Sequence, residues 1–111
     1  MEGGDEMPDH IYTVDEIRDI VAPIALRHGL SRVYLFGSYA RGTATVISDV
    51  DLCIDASGLC GLTALSSLYL DLKEALQKDL DLITENSLKR NKDAAFLANL
   101  RKEQVLIYAG N

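Results

Sequence analysis

Val50, Leu52 and Ile54 alternate with Asp49, Asp51 and Cys53. A period of two is the signature of a β-strand. It turns Val50 and Leu52 towards a core and sets Asp49 and Asp51 together on the opposite face. A carboxylate in a strand of Val, Leu and Ile is costly unless something positive neutralises it. Two like charges held side by side also raise each other's pKa. Whatever sheet this strand joins needs an apolar layer on one face and a cation on the other.

The flanking segments supply that layer. Residues 1–11 read as a loose tail and 12–111 as a single domain. Thr13-Val14-Asp15-Glu16 matches a capping box, and Ile17, Ile20, Val21 and Ile24 follow at helical spacing. Pro23 lacks an N–H, so a kink or break is expected there; Gly29 ends the helix after Arg27 and His28. Val33–Phe36 reads as a buried strand closed by Gly37 and Ser38. Tyr39-Ala40-Arg41 fits one helical turn before Gly42, and Thr43–Ser48 a loop. After a turn at Ser57, Gly58 and Gly61, Leu65, Leu68, Leu72 and Leu76 mark a helix from about Leu62 to Lys78. Asp79–Thr84 reads as a third strand. A last helix is expected from near Leu88 to Glu103, burying Phe96, Leu97 and Leu100. Val105–Tyr108 reads as a short strand or a packed tail. This order predicts an α+β fold, a small mixed β-sheet with helices packed on it.

Composition narrows the function. The 111 residues are 48% hydrophobic and carry a net charge of −6. Such a charge argues against a large electrostatic footprint for DNA or RNA, so direct nucleic-acid binding is not expected. It does not argue against a nucleotide, whose phosphates need one metal and a few local donors. No apolar run approaches the length of a membrane span. The opening MEGGDEMPDH is polar and acidic, unlike a signal peptide. The chain reads as soluble and cytoplasmic. Cys53 and Cys60 have no His or Cys neighbours at metal-ligand spacing and read as reduced thiols in or near the core.

Asp49 and Asp51 form a natural platform for a hard cation such as Mg²⁺, which takes one or two carboxylates, water and phosphate oxygens. An exposed strand edge gives the same pattern. Gly37-Ser38 supplies the complement: Gly lets the backbone approach a ligand, the following N–H groups can receive an anion, and Ser38 adds a hydroxyl. A third carboxylate comes from Asp79 or Asp81. Asp81 is preferred because it lies between Leu80 and Leu82, where a charge needs a reason. Arg41 has two readings, a phosphate ligand or a salt bridge to an aspartate that holds the loop.

Gly37-Ser38, Tyr39-Ala40-Arg41-Gly42 and then Asp49-Val50-Asp51 resemble the DNA polymerase beta-like nucleotidyltransferase superfamily, and GSYARG…SDVDL looks like its minimal nucleotidyltransferases, the MNT family. The likeness covers about a hundred residues in family order. It implies that Asp49 and Asp51 bind two Mg²⁺ ions, with Asp81 completing the site as ligand or base, and that Gly37, Ser38 and Arg41 contact the nucleotide. Val46-Ile47 is more apolar than that pattern leads one to expect. By resemblance the activity is transfer of AMP from ATP to a tyrosine of a HEPN-domain ribonuclease toxin, the chain acting as antitoxin of a type VII toxin–antitoxin module. Two other readings remain open: an antitoxin that works by binding alone, and a nucleotidyltransferase for a small molecule such as an aminoglycoside. A homo-oligomer is compatible with either. His28 reads as structural, the leucine stripe as core or dimer face, and the basic residues at 89–92 and 101–102 as solvated helix surface.

Overall fold

The computed structural model describes residues 10–59 and 61–110. Most of the expected tail and the Cys60 thiol lie outside these residues. The elements are α1 (Val14–Arg27), β1 (Arg32–Phe36), α2 (Gly37–Arg41), β2 (Val50–Ile54), α3 (Gly61–Leu76), β3 (Leu80–Thr84), α4 (Glu85–Lys89), α5 (Ala94–Glu103) and β4 (Val105–Ala109).

Local chemistry sets most boundaries. Thr13 and Glu16 close both bonds of the capping box at the start of α1. Pro23 does not break this helix. Pro23 and Asp19, whose carbonyl loses its donor four residues on, are both exposed, so the orphaned oxygen faces solvent rather than core. The helix expected over 88–103 is instead two. Asp93 caps α5 by accepting from the Phe96 N–H at 3.1 Å, and Asn91 accepts from the Asp93 N–H at 2.8 Å. These polar groups win over the apolar periodicity. Phe96, expected to be buried, is 41% exposed, whereas Leu100 is 5% exposed.

The four strands lie in the order β3-β2-β1-β4. β1 is antiparallel to β2 and β4, and β2 is parallel to β3. The final segment is thus a paired strand. Ile17 and Val21 of α1 and Leu68, Leu72 and Leu76 of α3 join Val33, Leu35, Val50, Leu52, Ile54 and Ile107 of the sheet in one core. Tyr12 donates to the Leu76 carbonyl at 2.6 Å, and His28 meets Asp71 at 2.7 Å, tying α1 to α3. His28 is structural, as its place at the helix end suggested. With α1 and α3 on one face, the side chains of Asp51, Cys53 and Tyr34 emerge on the other.

Candidate active site

β1 runs straight into α2 at Gly37, whose φ of +75° lies in the left-handed region. A Cβ on Gly37 would overlap the Asp51 carboxylate. Glycine therefore does two things here: it makes the strand-to-helix turn, and it leaves the space the aspartate fills. Ser38 sits half-buried in the same turn, its carbonyl accepting from the Thr43 N–H at 2.9 Å. Gly42, at φ +79°, closes α2 as a left-handed cap.

Asp51 and Asp81 are register partners in the parallel β2–β3 pair, so both side chains leave the same face. Asp49, just before β2, is exposed. Asp51 is half-buried, and its carboxyl is pushed up from 3.8 to about 6. Burial is the main cause, the charges of Asp81 and Asp49 add to it, and Arg41 opposes it. Asp81 is itself exposed. Its place between Leu80 and Leu82 in the sequence does not bury it, because β3 is an edge strand and its outer face is open to solvent. Asp79 precedes β3, is 80% exposed, and faces Lys73 at 3.9 Å; its carbonyl accepts from the Val50 N–H at 2.9 Å. Of the two candidates, Asp81 is the one aligned with Asp51.

The donor set is hard oxygen and anionic, the kind Mg²⁺ selects, and the raised Asp51 pKa marks a place where a cation would relieve repulsion. Among the described residues no three His, Cys, Asp or Glu side chains converge on one point. Asp51 and Asp81 share a face and the charge of Asp49 reaches Asp51, but the three carboxylates form no closed cage. That suits Mg²⁺, which keeps water and substrate phosphates in its shell.

Arg41 departs from its salt-bridge reading. Its partner is Glu103 of α5, at 3.0 Å, not an aspartate, yet it lies close enough to Asp51 to hold that pKa down. Glu103 carried no signal beyond its place in a last helical turn. Lys78 was also missed: it is 8% exposed, and its amine donates to the Val46 carbonyl at 2.9 Å, anchoring the loop that leads into Asp49. Ile47, beside that anchor, is 86% exposed.

Residues 14–109 match the family model described as Nucleotidyltransferase domain. A Methanocaldococcus jannaschii protein, provisionally named as a protein adenylyltransferase, is 37% identical over 75 residues, covering 68% of this chain and 81% of that protein. Protein adenylyltransferase MntA of Thermococcus cleftensis is 33% identical over 83 residues, 71% of this chain and 84% of that one. The fold also matches a chain from a solved complex of a tri-AMPylated Shewanella oneidensis HEPN toxin with an MNT antitoxin. There the TM-score is 0.61 at 19% identity, over 88% of this chain and 74% of that chain. Glycine turn, paired aspartates, sheet order and relatives agree: the chain belongs to the nucleotidyltransferase domain family.

Proposed function

We propose that this chain is a Mg²⁺-dependent protein adenylyltransferase that moves AMP from ATP onto a tyrosine hydroxyl of a cognate HEPN ribonuclease toxin. In this reading it is the antitoxin of a type VII module and works in the cytoplasm. The observation that carries the proposal is the packing of the Asp51 carboxylate into the space left by Gly37, in register with Asp81. The names of the relatives support the acceptor class.

Asp49, Asp51 and Asp81 would hold Mg²⁺. When bound, the metal neutralises charge on the α-phosphate oxygens and on the departing pyrophosphate. Gly37 and Ser38 offer backbone N–H groups, and Ser38 a hydroxyl, to the triphosphate. The acceptor oxygen bonds to the α-phosphorus, the bond from that phosphorus to the bridging β-oxygen breaks, and pyrophosphate leaves. Asp81, exposed beside Asp51, takes the hydroxyl proton. Arg41, held by Glu103, moderates the repulsion around Asp51. Positioning and preorganised charge supply the rate.

Co-expression with the partner tests the proposal. The partner recovered with the wild-type chain should carry the mass of one or more AMP groups on tyrosine, and the partner recovered with Asp49→Asn/Asp51→Asn none. An unmodified but neutralised partner would contradict it and favour binding alone.

A further inference from the structure

The sheet face that bears Asp51 continues into a cavity of about 450 Å³. Tyr34 and Cys53, paired across β1 and β2, form its floor, and Leu88 of α4 and Leu97 of α5 line it from above. Its far end is closed by Arg32, which reaches Asp55 at 3.5 Å and Glu85 at 3.3 Å. Cys53 follows Asp51 by two residues on one face, a step of about 7 Å along the strand. The mouth of this cavity is therefore within reach of the ribose and base of a nucleotide whose α-phosphate lies at the carboxylates.

The lining suits a flat heterocycle. An aromatic ring, a thiol and leucine side chains give apolar faces, Gln104 and Glu85 give hydrogen-bonding edges, and Lys89 and Arg101 join Arg32 as cations at the lining. The volume falls in the range of small-ligand sites, roughly 300–1,000 Å³. The hollow at the other end of the carboxylates, around Asp49, Lys73 and Asp79, has no aromatic lining. We infer that the Tyr34–Cys53 cavity holds the nucleoside of the donor nucleotide, between the sheet and the helices α4 and α5. This rests on the nucleotidyl-transfer reading and extends it by assigning α4 and α5 a role in donor binding.

The full chain is titrated calorimetrically with a non-hydrolysable ATP analogue and, separately, with inorganic tripolyphosphate, each with Mg²⁺. Leu97→Trp and Gln104→Trp fill the cavity without touching the carboxylates. Both should weaken the analogue roughly tenfold or more and leave tripolyphosphate unchanged. Unchanged analogue affinity in both variants, or an equal loss for both ligands, overturns the inference alone. So does a wild-type chain that binds the analogue no better than tripolyphosphate. A wild-type chain that binds neither sinks the transfer reading too. If the variants misfold, the wild-type Leu88, Leu97 and Leu100 methyl NMR signals decide: they should shift with the analogue and not with tripolyphosphate, and identical responses refute the assignment.

Discussion

Replacing Asp51 with Asn should make the metal-free protein more stable while destroying its activity. The folded state holds the Asp51 proton up to about pH 6, whereas the unfolded chain releases it near 3.8. Between those values the unfolded state binds fewer protons, so stability falls as pH rises through this window and stays low above it. The gap corresponds to about 3 kcal/mol at most. Partial solvent access reduces this to about 1–2 kcal/mol. Asn keeps the shape without the charge, and no hydrogen bond to the Asp51 carboxylate is formed among the described residues to be lost. Urea unfolding in EDTA at pH 8 should thus show Asp51→Asn more stable by about 1–2 kcal/mol, a rise of roughly 4–10 °C in Tm. Near pH 4 the advantage should vanish, since wild-type Asp51 is then protonated when folded. Saturating Mg²⁺ should raise the wild-type Tm at pH 8 and leave the variant nearly unmoved. An Asn variant less stable than wild type at pH 8, or an advantage independent of pH, would refute the assignment of a repelled, cation-seeking carboxylate.

Other tests follow from single contacts. Gly37→Ala should abolish transfer and cost about 1–3 kcal/mol, because φ is positive and the new methyl meets Asp51; wild-type activity in this variant would refute the packing argument. Glu103→Gln should alter stability by less than about 1 kcal/mol, as a partly exposed ion pair contributes little, yet it should lower kcat by freeing Arg41; unchanged kcat would remove Arg41 from the site. Lys78→Met should cost about 1–3 kcal/mol by leaving the Val46 carbonyl without its donor, measured by urea unfolding, and a neutral result would show that the loop holds itself. Pro23→Ala, on the exposed face of α1, should stabilise by about 1 kcal/mol or more by restoring a helical bond, and a loss of stability would show that Pro23 serves packing.

The sequence displays what a short window can encode. The capping box at Thr13, the alternation over 49–54 and the leucine stripe of α3 each state their structure within a few residues, and each is found in the fold. The turn at Gly37 was legible because only glycine tolerates both its φ and the approach of Asp51. What depended on neighbours distant in sequence was not legible. The exposure of Asp81 follows from β3 being an edge strand, which strand order alone decides. The pairing of Arg41 with Glu103 spans 62 positions. The split of the last helix was written in Asn91 and Asp93, but the apolar spacing of Leu88, Phe96, Leu97 and Leu100 masked it.

The decisive measurement uses the purified chain, its HEPN partner, Mg²⁺ and ATP labelled at either the α- or the γ-phosphate. The account expects the α-label on the partner, the γ-label released as pyrophosphate in equal amount, and neither event with Asp49→Asn/Asp51→Asn. Neutralisation of the partner with no bound α-label, or undiminished labelling by that double variant, would contradict it.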